Sequence, residues 1–431
     1  MTRVYLETYG CQMNEADSEL MAGVLARAGL ERVADPAEAD VLLLNTCAVR
    51  EHAEQRVLGR ITDLARYKRI RPGVLLGVTG CMAQHLRGRL LAHSRWLDLV
   101  IGPDSYRDLP ALLERAARAP VAHAEPDPAE TYGDLEPRRA PGVRAWVPVQ
   151  RGCDKYCAYC VVPFARGRER SLPLADVLRT VRAAVADGYR EVVLLGQTVN
   201  SWHDGGRDFA DLLRATRDVE GLLRVRFVSP HPAHMTDRLV AALSEGGPVC
   251  PQLHLPLQSA ADPVLEAMGR GHTLADYDAV VTRLRAAVPD LGLSTDVIVG
   301  FPGETAADFA RTEEYLRATR FDSAFLFKYS SRPGTRAATR PETVSEEEKS
   351  HRLARLIALQ HDVAASVNAG WVGREVEALV EGPARRDPGQ LYARTRQFKA
   401  IVFPNDGSPA GTLRRLRVTA TSPLTLRGAP A

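Results

Sequence analysis

The chain has 431 residues, 45% hydrophobic and 25% charged, with seven cysteines and a net charge of only +3. These proportions describe a globular protein with a large buried core. They exclude a disordered tail, a disulfide-stapled mini-domain and a chain dominated by membrane spans. The opening MTRVYLETYG has no apolar signal region, so the expected setting is the reducing cytoplasm, with no membrane partner.

In chain order, Val4–Thr8 reads as a strand, and Glu15–Ala28 as a helix with Leu20, Val24, Leu25 and Ala28 at helical spacing, closed by Gly29. Val41–Leu44 reads as a buried strand, Glu51–Tyr67 as a helix and Val74–Val78 as another buried strand. This β-α-β-α-β alternation predicts a doubly wound α/β domain over residues 1–118. Residues 118–145, rich in Pro, Ala and charge, read as a linker. Six strand–helix units follow, with strands near 146–150, 191–195, 224–228, 252–257, 293–299 and 323–329. They predict an incomplete (βα)6 barrel within residues 139–368, two units short of the full eight. A last helix opens at Ser345 with Glu348 three residues on, a capping box, and Leu353, Leu356, Ile357 and Leu359 pack it on the barrel. Residues 371–431 alternate or run apolar between turn residues and predict a small antiparallel β-barrel.

Charge is unevenly distributed. The segment 371–431 holds ten Lys and Arg against five Asp and Glu, a net +5, which leaves −2 for the rest. That asymmetry suits either a polyanionic partner or a solvated arginine-rich surface.

The cysteines carry the chemistry. Cys153, Cys157 and Cys160 stand in a C-x3-C-x2-C run with Tyr159 before the last thiol. Three thiolates can hold three irons of a 4Fe–4S cube and leave the fourth open to a substrate. A zinc site would normally add a second C-x2-C pair, and a bacterial ferredoxin run would be C-x2-C-x2-C with a fourth cysteine and a proline, whereas here Val161 follows Cys160 and that run is absent. The run follows the first barrel strand, at the carboxyl-end face where barrel enzymes place their chemistry. Cys11, Cys47 and Cys81 each follow one of the three N-terminal strands, in Tyr-Gly-Cys, Asn-Thr-Cys and Thr-Gly-Cys. Loops at the carboxyl ends of parallel strands meet in one crevice, so these three are expected to converge on a shared metal site rather than remain separate buried thiols. Cys250 reads as a spare thiol. His231 and His234 make no helical metal pair, because a proline intervenes.

From end to end the chain resembles the radical S-adenosylmethionine (SAM) methylthiotransferases. The matching segments are Tyr9 to Asn14, Asn45-Thr46-Cys47, Gly80-Cys81, Gly152 to Cys160, Leu195-Gly196-Gln197, Ser229 to Pro232, His254 to Ser259, Gly300 to Glu304 and Ser331 to Thr335. The resemblance implies that Cys153, Cys157 and Cys160 hold a SAM-binding 4Fe–4S cluster and Cys11, Cys47 and Cys81 an auxiliary one. It implies SAM contacts from Tyr159, Gln197, Ser229, His231, Gln258, Gly300 and Glu304. For Tyr159 simple packing is the alternative, and for the strand-end polar residues a satisfied local hydrogen bond. The Gly-Gly-Glu triplet common in radical-SAM enzymes is replaced by Leu195-Gly196-Gln197, so the methionine amino group of SAM must find another partner.

The C-terminal segment resembles the TRAM RNA-binding module, with Arg385, Arg386, Arg394, Arg396, Lys399, Arg414, Arg415 and Arg417 as candidate phosphate contacts. The implied reaction joins a methylthio group to C2 of N6-dimethylallyladenosine at position 37, in the anticodon stem-loop of tRNA. An unactivated aromatic C–H bond calls for radical chemistry carried by cofactors. The implied partners are a reductant such as flavodoxin or ferredoxin, and the chain is expected to act as a monomer. Sibling enzymes act on threonylcarbamoyl-adenosine of tRNA or on a ribosomal-protein aspartate. Gln12-Met13-Asn14 favours the dimethylallyl branch. A non-enzymatic RNA-binding protein with structural metal sites is the alternative from another class.

Overall fold

The computed structural model describes residues 2–48 and 51–431, with the side chains of 51–53 set aside. The N-terminal sheet has six parallel strands where three are expected. Its spatial order is Glu31–Val33, Arg3–Tyr9, Val41–Thr46, Leu75–Gly80, Leu99–Ile101 and Val121–His123. Val41 to Thr46 are all buried, as a central parallel strand covered on both faces requires. One face packs on the helices Gln12–Arg27 and Leu109–Ala116 through Leu20, Val24, Leu109 and Leu113. The other packs on Glu51–Ile70 through Val57, Ile61 and Leu64.

The linker is structured. Val121–His123 is the sheet's edge strand, Tyr132 stacks on Tyr106 at 5.8 Å, and Arg138 N–H donates to Glu19 O at 2.8 Å. Residues 136–139 thereby form a strap across the helix Gln12–Arg27.

The central barrel has its six expected parallel strands. Arg144–Pro148, Glu191–Leu195 and Arg224–Phe227 form one run, and Gln252–His254, Gly292–Val299 and Ser323–Lys328 another. A parallel bridge between Val225 and Val249 links the two runs. Helices Leu174–Ala186, Phe209–Arg217, Asp237–Ser244, Leu274–Ala287 and Ala306–Thr319 cover the outside. Three of them start with reciprocal capping boxes, Asp208 with Asp211, Thr273 with Asp276 and Thr305 with Asp308. The last helix, Glu346–Ala369, differs from its expectation in two respects. Ser345 Oγ accepts from Glu348 N–H at 3.2 Å, but the Glu348 carboxylate turns to Arg352 at 2.8 Å, so the box is one-sided. Leu356 and Leu359 are buried, whereas Ile357 is 54% exposed.

The C-terminal module is a closed five-stranded barrel ordered Glu375–Ala384, Asp387–Thr395, Ala400–Pro404, Thr425–Pro430 and Leu413–Thr421. All its pairings are antiparallel except that of Ala400–Pro404 with Thr425–Pro430. The turn at 396–399 inserts at the amino ends of the central barrel's strands. There Glu191 is fully buried between Arg144 and Arg226. Arg226 also donates to Thr395 O at 3.0 Å and Arg396 O at 2.8 Å, and Arg224 donates to Arg394 O at 2.6 Å. The Phe398 ring lies 4.1 to 5.1 Å from the guanidinium carbons of Arg394, Arg226 and Arg144. The small barrel thus plugs the face opposite the carboxyl-end loops.

Candidate functional site: two cysteine trios joined by a buried arginine

The N-terminal trio is held by a polar network that ties the three strand ends together. Cys11 caps the helix Gln12–Arg27, and its backbone N–H and thiol both donate to Asn14 Oδ1, at 3.2 and 3.4 Å. Asn14 Nδ2 donates to Asn45 Oδ1 and Thr46 O, both at 3.2 Å. Asn45 Nδ2 returns to Asn14 O at 2.8 Å and Ser18 Oγ at 2.9 Å, and Thr46 Oγ1 donates to Thr79 O at 2.6 Å. Asn14, Asn45, Thr46 and Thr79 are all fully buried. The third strand approaches closely because Gly80 has no Cβ. With φ 90°, a Cβ there would fall 2.5 Å from Asn45 Oδ1 and 2.6 Å from Thr46 O.

The three thiols differ electrostatically. Cys11 is pulled down to about 6, first by a hydrogen bond with the Cys47 thiol and, after burial's opposing effect, by the charge of Arg166. Burial pushes the Cys81 thiol up, partly offset by the same arginine. Cys11 is exposed to solvent, whereas Cys47 and Cys81 are buried. Arg166 Nε donates to Cys81 Sγ at 3.1 Å.

The second trio occupies the loop between Gln150–Arg151 and the short helix Val162–Arg166. Gly152, at φ 78°, admits the backbone of Arg168, whose carbonyl oxygen would lie 1.9 Å from a Cβ. Ala158 N–H donates to Met268 O at 2.7 Å, and Ala158 O accepts from Ala337 N–H at 2.8 Å, which pins the loop between later segments. Each sulfur has its own neighbour. Cys153 Sγ lies 3.2 Å from Thr198 Oγ1, Cys157 Sγ accepts from Arg270 at 3.5 Å, and Cys160 Sγ accepts from Val162 N–H at 3.4 Å. Burial raises Cys153 and pushes Cys160 up to about 12, and a bound metal cation would favour their thiolate forms.

Among the described residues, no three His, Cys, Asp or Glu side chains close on a single metal ion. Thiolates of a cube each take a separate iron and need no such closure. The surroundings fit a thiolate-held, anionic group. Arg270 is buried with its Nε unpartnered, and its charge is favoured chiefly by Tyr159 and Cys157.

Beside the second trio, the carboxyl-end face carries polar atoms without protein partners. Gln197 Oε1 is buried and unpaired. His231 Nδ1 accepts from Ala233 N–H at 3.2 Å, while its Nε2 is buried and unpaired. Burial, with help from Arg270 and Lys155, pushes His231 down to about 2, so the ring is neutral and Nε2 carries a proton. Ser229 and Gln258 sit at φ 60° and 72°, where strand ends turn sharply. Gln258 backbone groups bond Asp296 O and Ile298 N–H, at 2.8 and 2.9 Å. Tyr159 packs with Ala158, Val264, Phe301 and Ile298.

Gly300 and Glu304, two of the expected SAM contacts, also meet the last helix. Glu304 Oε2 accepts from Gly300 N–H at 2.6 Å and from Arg352 at 2.7 Å, and a Cβ on Gly300 would meet Lys349 Cγ at 2.3 Å. Gly300 and Glu304 therefore anchor the last helix. Arg270, His272, Arg166, Asp17 and Arg151 escaped the sequence reading, although Gly269-Arg270-Gly271-His272 is a local signal: a charged residue between glycines in a turn between helices.

The basic tail divides in two. Arg385, Arg386, Arg415 and Arg417 are exposed. Arg417 pairs with Glu375 at 2.7 Å, and Arg414 pairs with Asp406. Arg394, Arg396 and Lys399 are corrected from phosphate contacts to docking groups. Arg394 donates to Phe398 O at 2.9 Å, Arg396 donates to Gly247 O and Val249 O at 2.6 and 2.8 Å, and Lys399 is buried against Asn368 and Asp322 at 2.7 and 2.5 Å. A surface hollow of about 440 Å³, lined by Pro137, Arg138, Arg139 and Tyr189 among others, contains none of the cysteines.

Family comparisons fall on the same three regions. The Uncharacterized protein family UPF0004 matches residues 3–102, the Radical SAM superfamily residues 147–316 and the TRAM domain residues 371–429. A tRNA-2-methylthio-N(6)-dimethylallyladenosine synthase of Chlorobium limicola is 42% identical over 432 residues, covering 100% of this chain and 98% of its own. One from Moorella thermoacetica is 43% identical, covering 98% of this chain and 96% of its own. Among solved structures, the radical SAM methyltransferase TsrM from Kitasatospora setae superposes with a TM-score of 0.56 at 15% identity, over 76% of this chain and 73% of its own. The cobalamin-dependent SAM radical enzyme OxsB gives 0.52 at 12% identity, over 84% of this chain and 56% of its own. At that identity the likeness concerns the fold alone. Full-length identity above 40% to both synthases settles the family: this chain belongs to the tRNA-2-methylthio-N(6)-dimethylallyladenosine synthases.

Proposed function

We propose that the chain transfers a methylthio group to C2 of N6-dimethylallyladenosine at position 37 of tRNA, using SAM and two 4Fe–4S clusters. The observation that carries this is the pairing, within one chain, of two three-thiol sets connected through Arg166, which follows the second trio on its helix and bonds a sulfur of the first. Cys153, Cys157 and Cys160 would hold the SAM-binding cluster, and Cys11, Cys47 and Cys81 the auxiliary one. When bound, the first cluster would supply reductive cleavage of SAM, and the auxiliary cluster would present the sulfur to be methylated, whether cube sulfide or a bound sulfide.

The remaining roles belong to side chains. Gln197 Oε1 is a free acceptor and His231 Nε2 a free donor, which suits a ligand offering both an amino group and a carboxylate. Thr198 and Arg270 orient Cys153 and Cys157. The exposed arginines Arg385, Arg386, Arg415 and Arg417 would bind tRNA phosphates without reading sequence. The reading brings with it a one-electron donor of the flavodoxin or ferredoxin class, a monomeric enzyme and a cytoplasmic setting. No helix among the described residues is long and apolar enough to cross a membrane.

The test is anaerobic reconstitution followed by incubation with SAM, a reductant and tRNA carrying N6-dimethylallyladenosine. Nucleoside mass spectrometry should show the 2-methylthio product together with 5′-deoxyadenosine, and Cys153→Ala should abolish both. Turnover confined to threonylcarbamoyl-adenosine or a ribosomal-protein aspartate would move the chain to a sibling activity. No SAM cleavage at all would reject the enzymatic reading.

A further inference from the structure

We infer that Arg166, contributed by the central barrel, is a positioning and charge-compensating residue of the auxiliary centre in the N-terminal domain, fixed there by Asp17. Arg166 ends the short helix Val162–Arg166, two residues beyond Cys160 at its start, yet its Nε donates to Cys81 Sγ at 3.1 Å. Its Nη2 donates to Asp17 Oδ2 at 2.7 Å, and the other oxygen of Asp17 accepts from Arg151 at 2.9 Å. Tyr106 OH donates to the same carboxylate at 3.3 Å. The side chains of Asp17, Arg151 and Arg166 are 0%, 3% and 4% exposed.

Charge bookkeeping explains why the assembly points to an anion. Two buried guanidiniums share one buried carboxylate, which leaves one positive charge in excess. A buried cation in this position needs a further counter-charge. Arg166 Nη1 is buried and has no partner, and Cys81 and Cys11 stand beside Asp17 and Tyr106 among the groups that favour the guanidinium charge. A thiolate-held cluster supplies the missing negative charge. Because the inference rests on the auxiliary cluster proposed above, its test must separate the two.

Hydrogen bonds and positive charge at a ligating sulfur stabilise the more electron-rich state of an iron–sulfur cluster and raise its reduction potential. The experiment uses the full chain with Cys153, Cys157 and Cys160 all changed to Ala, so that only the auxiliary centre remains. Iron per chain and the midpoint potential, from a redox titration followed by electron paramagnetic resonance, are measured with Arg166 intact and as Arg166→Gln and Arg166→Lys. The expected result is about four irons per chain, a midpoint shifted downward in Arg166→Gln and an intermediate shift in Arg166→Lys. Where Arg166→Gln fails to fold, Arg166→Lys against Asp17→Asn decides, because Asp17→Asn leaves the guanidinium charge but loosens its aim. An unchanged potential in the variants that bind iron would overturn the inference and spare the cluster. A parent that binds no iron would overturn the cluster assignment, and the inference with it.

Discussion

Gly152 shows how little freedom the cluster loop allows a single residue. Its φ of 78° and the 1.9 Å approach of Arg168 O to an imagined Cβ leave no room for a methyl group. Gly152→Ala is expected to cost about 1–3 kcal/mol of stability and to displace Cys153. The expected readout is loss of iron from the SAM-binding site with the auxiliary site retained. Glu19 makes a different kind of prediction. It lies 3.7 Å from Arg139, too far for a hydrogen bond, and burial raises its carboxyl to about 7. Burial also lowers Arg139, so the pair does not offset its own desolvation. The folded state holds the Glu19 proton more tightly than the unfolded chain does. The stability this confers is complete below the unfolded value near 4.5 and is lost as pH rises through about 7. Thermal unfolding between pH 5 and 8 should therefore show stability falling by about 3 kcal/mol, a slope that Glu19→Gln flattens. The placement of the six cysteines at the carboxyl ends of strands was legible in the sequence, because it follows from spacing and strand order. Asp17, Arg166 and Arg270 were not, because a charged residue in a sequence does not reveal a partner more than a hundred positions away, and exposure is the default for all three types.

Among the elements, the longer ones were readable and the short ones were not. Strands of three residues such as Glu31–Val33, Leu99–Ile101 and Val121–His123 carry too little pattern to be seen, and the last of them lay in what composition marked as linker. Between Asp387–Thr395 and Ala400–Pro404, Arg396 to Lys399 form a hairpin turn that holds Phe398 at φ 67°. That turn is the plug beneath the central barrel, and its burial is why Arg394, Arg396 and Lys399 contact carbonyls, carboxylates and rings of this chain. Arg226→Ala would remove bonds to Thr395 O, Arg396 O and Glu191 together. It would leave the buried Glu191 with Arg144 alone among its present salt-bridge partners. The expected loss is about 3–5 kcal/mol, and protease should gain access to the 396–399 turn before it reaches the N-terminal sheet. Equal protection of that turn in the variant and the parent would argue against docking through Arg226.

For the whole molecule, the order of parts follows from where each face points. Carboxyl-end loops of the N-terminal sheet and of the barrel carry the thiols, while the C-terminal module grips the barrel from its amino-end side. On the proposed function, the arginines left outside the junction are the ones that meet tRNA. Changing Arg385, Arg386 and Arg415 together to Ala should weaken tRNA binding and reduce the slope of log affinity against log salt by about 2–3. Changing Arg396 should instead act on stability. The account depends most on the two trios each holding a cluster. Iron and sulfide per chain after anaerobic reconstitution test it most directly, together with Mössbauer spectra of the parent and of the two triple Cys→Ala variants. The account predicts about eight irons in the parent and about four in each variant, all in 4Fe–4S form. About four irons in the parent, unchanged when Cys11, Cys47 and Cys81 are removed, would contradict it.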